Sequence, residues 1–343
     1  MRWSRSLTLV GVHAEGEIGR IVVGGLLPPP GRTMQERLAW LNESAEGDRL
    51  RRFLTREPRG WPAMSTNLLL PPCESGADAA FVILQPDRAH AMSGSNAICT
   101  ATALVELGMV AMREPETVVT LDTAAGLVPA RVGCADGRAR RVSLDMPASF
   151  VEADGLALEV EGIGRIELAI AFGGVFYALV DPAPLGLSIE PGQARRLAET
   201  GVRILEAAQR RWRPVHPERP AIAGIAYLMW CGEGPEGPRN ATVLLPGRLD
   251  RSPCGTGSAA RLALEWARGR IRPGEARLFR STIGTCFEAE FVGTTEVAGR
   301  PAVLPRLSGR AWLYSIEQLG LDPEDPFPEG HLLADLWGGL AAR

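Results

Sequence analysis

Short apolar runs cut by Gly, Pro and Asp dominate the chain and predict a β-rich protein. Residues 6–12, 19–23, 79–85, 117–122, 127–132, 141–145 and 166–171 are rich in Val, Ile, Leu or Thr, and the second half repeats the style at 175–180, 223–230, 241–245 and 287–292. Helical spacing is rarer. Leu38, Leu41, Leu50 and Leu54 recur among charges over 34–55 and predict a broken surface helix; 191–212 opens on Pro191 and carries Leu197, Val202, Leu205 and Ala208 among arginines. Two further stretches differ. From Ser95-Asn96 the chain is apolar on nearly every side through Val110, and from Thr256 to Trp266 it is almost as apolar, which suits helices enclosed in an interior. Each follows a strand and a loop of small polar residues.

This pattern predicts an α/β (α+β) protein of two pseudo-symmetric halves, each a curled, mostly antiparallel sheet around a central helix. The first half is expected over 1–145, with 306–343 returning to it, and the second over 146–305. A chain of 343 residues exceeds what one core normally holds.

Composition narrows the function. The 37 basic residues are all arginine; without a lysine the chain can form neither a pyridoxal Schiff base nor a Walker loop. A net charge of −3, with no long run of one sign, gives no footprint for nucleic acid or a membrane surface. Six cysteines without a CxxC pair and four dispersed histidines predict neither a disulfide framework nor a metal site. Arg2 and Arg5 precede a short apolar stretch that His13, Glu15 and Glu17 interrupt, so a cytoplasmic protein with reduced thiols is expected. The expected partner is a small molecule, with a homodimer left open.

The two central helices begin alike: Met92-Ser93-Gly94-Ser95-Asn96 in the first half and Pro253-Cys254-Gly255-Thr256-Gly257 in the second. Each has a side chain able to move a proton, then glycine, then a hydroxyl. Taken singly, the first reads as a helix cap and the second as a structural turn. As a matched pair they read as a site, with first-turn amides for a carboxylate and a helix field that favours a Cys254 thiolate. Ser93 is a far weaker acid, so the two positions are chemically unequal. Asp250 is read as the partner of a substrate ammonium, Cys99 as core, and His90 as incidental.

The string Asp250-Arg251-Ser252-Pro253-Cys254-Gly255-Thr256-Gly257 resembles the proline racemase family, supported by Met92 to Asn96, Glu57-Pro58-Arg59-Gly60, Phe172-Gly173-Gly174, Val180-Asp181 and Ile283-Gly284-Thr285. The resemblance implies domains similar to those of diaminopimelate epimerase and cofactor-independent acid/base chemistry at Cα. Ser93 and Cys254 would face each other across the substrate as its acid/base groups, Gly94, Ser95, Gly255 and Thr256 would bind the carboxylate, and Asp250 the ring nitrogen. Racemases and 4-hydroxyproline epimerases of this family typically carry cysteine at both catalytic positions and histidine two residues after the first, where this chain has Ser93 and Ser95. That departure resembles a bacterial group that dehydrates trans-3-hydroxy-L-proline. The leading expectation is therefore a hydro-lyase yielding Δ1-pyrroline-2-carboxylate. The alternatives are a 4-hydroxyproline 2-epimerase, or weak proline racemase, with an asymmetric Ser/Cys pair, and a non-catalytic amino-acid-binding protein.

Overall fold

A computed structural model describes residues 3–244 and 246–337. Met1, Arg2, Leu245 and 338–343, which enter the expectations for a leader, a strand and the returning C-terminal segment, lie outside the described residues. The chain divides into two compact units, one drawn from Met1–Leu144 and Gly309–Arg343, the other from Asp145–Ser308.

In the first unit, the hairpin of Arg5–Ala14 and Glu17–Gly24 turns at Glu15-Gly16, both at positive φ. Met64–Leu70 adds parallel to Glu17–Gly24, Ala79–Leu84 antiparallel to that, and Glu116–Thr123 parallel again. Gly126–Ala135 and Arg138–Asp145 complete one side. On the other side Ala311–Leu321 pairs along the whole length of Arg5–Ala14. Helices α1 (Met34–Glu43) and α2 (Ala45–Thr55) share Ser44 as the break between them. Their Met34, Leu41, Leu50, Phe53 and Leu54 pack on Leu9, Val22, Leu68 and Val82 of the sheet's outer face. The inner face wraps helix α3 (Gly94–Glu106), whose every residue from Gly94 to Val105 is buried. Alternate strand residues therefore serve two apolar layers, and each fully buried Leu, Ile or Val contributes about 1.5–3 kcal/mol.

The second unit repeats the plan. Phe150–Val160, Gly164–Phe172 and Phe176–Val180 run antiparallel in turn, Ile225–Gly234 adds parallel to the last, and Gly237–Leu244 antiparallel to that. Ala276–Arg280, Cys286–Val297 and Arg300–Gly309 continue the sheet, and reciprocal backbone bonds between Ser149 and Val303 close it on itself. Helix α4 (Ala194–Arg211) covers the outside with Leu197, Ala198, Ile204 and Ala208. Helix α5 (Gly255–Ala267) lies inside against Ala169, Ala171, Tyr177, Leu179 and Met229. Along Gly164–Phe172, Leu168, Ile170 and Phe172 face the outer core while Ala169 and Ala171 face α5. Small residues inward leave room for a helix within the curl.

The expected fold class thus holds: a mixed α/β fold with large curled sheets and few helices. All six cysteines are free, and among the described residues no helix is long and apolar enough to cross a membrane.

Candidate active site

The singled-out residues gather in two clusters, one at the entry of each internal helix. At α3, Ser93 is the N-cap, extended at φ −152°, with its carbonyl accepting from Ala97 N–H. Its side chain makes no cap bond. Instead Ser93 Oγ accepts from Asn96 Nδ2 at 3.1 Å and lies 3.2 Å from Ser95 Oγ. Helices α1 and α2 behave differently: Thr33 Oγ1 accepts from Glu36 N–H and Ser44 Oγ from Gly47 N–H, which closes both N-terminal entries. A Ser93 that declines to cap leaves the first-turn amides of α3, at Gly94 and Ser95, to other acceptors. The plain capping reading of Ser-Gly-Ser therefore fails on geometry. His90 Nε2 stands 3.4 Å from Asp87 Oδ1.

At α5, Cys254 is again the N-cap without a side-chain cap bond, but at φ 65° and ψ 118°, the left-handed region that a side chain with Cβ rarely adopts. Several contacts hold it there. Cys254 N–H donates to Ser252 Oγ at 3.1 Å, and Asp250 Oδ1 accepts from Ser252 N–H at 2.8 Å and from Ser252 Oγ at 2.9 Å. Asn240 Nδ2 donates to Pro253 O and Ser258 Oγ, and Asn240 Oδ1 accepts from the buried Arg261 guanidinium. Gly257 clears space, since a Cβ there would stand 3.2 Å from Cys254 Sγ and 2.7 Å from Met229 Sδ. Sγ lies 3.4 Å from Tyr177 Oη, which is itself 2.6 Å from Thr256 Oγ1. Asp250 and Thr256 thus stand in one cluster with Cys254.

The thiol does not have the depressed pKa expected from the helix field. Burial, and then the nearby Asp250 carboxylate, push it up to about 11, against the Tyr177 hydroxyl and the Gly257 amide, which favour the thiolate, as does the neighbouring Thr242 side chain. Burial likewise holds the Tyr177 phenol well above its ordinary range, so it stays protonated beside the sulfur.

The supporting motifs divide between site and scaffold. A Cβ on Gly173 would stand 2.1 Å from Thr256 O and 2.5 Å from Ala260 N, so Phe172-Gly173-Gly174 is where a strand end meets the first turn of α5. Arg59, by contrast, is buried against Asp325 and the Phe327 carbonyl and lies over the Phe53 ring, which makes Glu57 to Gly60 scaffold. Sequence reasoning missed Tyr177, Asn240, Thr242 and Arg261. Their signal was polarity inside apolar strands and a helix, since a buried Tyr or Arg needs partners.

The two internal helices thus share uncapped entries, one led by a hydroxyl and one by a thiol on positive-φ backbone. A family model for proline racemase matches residues 9–332, and the chain belongs to the proline racemase family. It is 52% identical to the 4-hydroxyproline 2-epimerase of Allorhizobium ampelinum over 342 residues, 99% of each chain. A hydroxyproline epimerase from Agrobacterium vitis, solved with bound trans-4-hydroxy-L-proline, is 52% identical, with a TM-score of 0.92 over the whole of both chains. A PhzF-family phenazine biosynthesis protein of Bacillus anthracis shares the fold alone, at 11% identity and a TM-score of 0.57, over 92% of this chain and 99% of its own.

These relatives overturn the expected trans-3-hydroxy-L-proline dehydratase. The hydro-lyase reading rested on Ser93 as a hydroxyl too weak to serve as one of two acid/base groups, yet full-length relatives at this identity carry the name of epimerase. That reading required Ser93 to be activated by its surroundings without naming the group that does so. In the fold Ser93 Oγ receives an N–H from Asn96.

Proposed function

We propose that this protein is a 4-hydroxyproline 2-epimerase that interconverts trans-4-hydroxy-L-proline and cis-4-hydroxy-D-proline. The observation that carries this reading is the full-length likeness to a hydroxyproline epimerase with trans-4-hydroxy-L-proline bound. Inversion at Cα needs one group to take the proton from one face and another to return a proton to the opposite face. Ser93 and Cys254, one from each unit, are assigned those roles. Gly94 and Ser95, with Gly255 and Thr256, supply amides and hydroxyls for the carboxylate, and Asp250 holds the ring ammonium. A 4-hydroxyl also explains why proton removal leads back to the amino acid: elimination requires a leaving group on the carbon next to Cα, and the 4-hydroxyl is one carbon too far.

The pair must hold a single proton between its two members to move one across Cα. The raised Cys254 thiol makes that state scarce at neutral pH, and Tyr177 and Thr242, beside the sulfur, favour it. The test is incubation of trans-4-hydroxy-L-proline in heavy water. Deuterium at Cα together with the cis-D epimer on chiral chromatography is the expected result, and Ser93→Ala and Cys254→Ala should each lower the rate by about 1,000-fold. Absence of both deuterium and epimer in the native enzyme would refute the assignment.

A further inference from the structure

The Ser93 hydroxyl is a much weaker acid than the thiol it is paired with, and a hydroxyl of this kind works only when its surroundings activate it. Asn96 supplies it with an N–H donor. Asn96 Nδ2 reaches Ser93 Oγ at 3.1 Å from the first turn of α3, and the residue is 2% exposed, so this bond acts with little screening by water. An N–H aimed at an oxygen is strongest when that oxygen carries negative charge.

The far end of the same carboxamide borders a tight space. Asn96 Oδ1 borders the bare Cα of Gly19, where a Cβ would stand 2.6 Å from it, 3.1 Å from Asn67 Nδ2 and 3.2 Å from Cys99 Sγ. Asn67 is fully buried and neither polar atom of its side chain has a hydrogen-bond partner; Asn96 Oδ1 has none either. Each such group costs about 1–3 kcal/mol, and Asn67 and Asn96 would be replaceable by apolar residues if packing were their only task. The Asn67 nitrogen and the Asn96 oxygen border one small space without bonding each other, so the Ser93 hydroxyl is the partner that the Asn96 carboxamide has, through Nδ2.

We propose that Asn96 is the positioning residue that makes serine workable at position 93: its N–H stabilises the charge that builds on Oγ as the proton leaves. The inference rests on Ser93 being an acid/base group of the epimerase. A thiol at the same place, being far more acidic, has no such need, so the requirement for Asn96 belongs to the serine.

The test is a double-mutant cycle on the full-length enzyme, read as kcat, KM and thermal midpoint for deuterium entry at Cα of trans-4-hydroxy-L-proline. Asn96→Ala should lower kcat about 100-fold, the size of effect seen when one donor to a developing oxyanion is removed, and leave KM nearly unchanged. In the Ser93→Cys background the same change should lower kcat less than about threefold. An equal loss in both backgrounds would reduce Asn96 to support of the helix entry and overturn the proposal. If Ser93→Cys is itself inert, Asn96→Asp decides: it keeps the shape but sets a carboxylate oxygen against Oγ, and should fall below Asn96→Ala in kcat at an unchanged thermal midpoint. An Asp variant equal to or faster than the Ala variant would overturn it. Failure of the underlying assignment looks different, because Ser93→Ala would then retain deuterium entry.

Discussion

The two helix entries share a plan and differ in how each holds its reactive side chain. Ser93 sits on relaxed extended backbone, half-buried among Ser95 and Asn96, and its chemistry depends on the polar side chain aimed at it. Cys254 sits on left-handed backbone, a conformation that costs a residue with Cβ about 1–3 kcal/mol, and is buried beside Tyr177 and Met229. The hydroxyl needs help to lose a proton, and side chains give it. The thiol is the stronger acid of the two but must be aimed, and bonds to its loop backbone, from Ser252 Oγ on Cys254 N–H and Asn240 Nδ2 on Pro253 O, aim it. Two helix entries built on one plan thus place their supporting contacts on different parts of the chain.

The glycine under each helix entry tests that difference most directly, and Gly173→Ala carries the larger effect. The new methyl would meet Thr256 O and Ala260 N, backbone atoms of the first turns of α5 that cannot rotate away. The change should destabilise the protein by about 3 kcal/mol, the upper part of the usual overpacking range, visible as a lower urea midpoint with an unchanged m-value. A loss below about 0.5 kcal/mol would show that the α5 entry is not held by backbone contact at all.

Tyr177→Phe probes the thiol's remaining dependence on a side chain. Its hydroxyl opposes the burial and the Asp250 charge that raise Cys254 to about 11, so removing it should raise the thiol further. The reactive state has lost one proton, so kcat/KM rises with pH toward the thiol's pKa, in both directions of the reaction alike. A pKa one unit higher would lower kcat/KM about tenfold at every pH along that rising limb, with its slope unchanged. Alkylation of Cys254 by iodoacetamide in the absence of substrate should slow by the same factor. Slower turnover with unaltered alkylation would place the role of Tyr177 on Thr256, its other partner, rather than on the sulfur.

Much of the frame behind this comparison was legible in the chain. The two apolar helices and their matched entries stand out because enclosed helices lack a polar face, and most strands announced themselves by branched residues between turn residues. The strands that escaped notice have physical reasons. Arg300–Gly309 carries Pro301 and Pro305, which argue against a strand, yet Pro305 lies opposite the register shift between Phe291 and Gly293. Phe150–Val160 is broken by Gly155 at φ 69°. The site was legible in its leading residues and not in their surroundings. Ser93 and Cys254 are local, whereas Tyr177 and Asn240 reach the Cys254 loop only through the sheet. That gap misdirected the reading of the reaction, because a serine judged without Asn96 pointed to elimination, and a cysteine judged by its helix field alone was expected to ionise too easily.

Gly19→Ala asks the corresponding question of the first entry, and its effect should be the smallest of the three. Here the new methyl would meet Asn96 Oδ1, Asn67 Nδ2 and Cys99 Sγ, all side-chain ends. They can yield by rotation, at about 0.5–1.5 kcal/mol for a displaced rotamer, so folding should change much less than in Gly173→Ala. The cost should appear in catalysis, since the atom pushed hardest belongs to the carboxamide whose other end supports Ser93. A fall in kcat of about threefold, with KM steady, fits a weakened rather than abolished hydrogen bond. The two alanine variants should therefore separate cleanly, one losing stability ahead of activity and the other activity ahead of stability. If Gly19→Ala instead lost stability as Gly173→Ala does, the first entry too would be held by packing, and the contrast between a side-chain-supported serine and a backbone-supported cysteine would collapse.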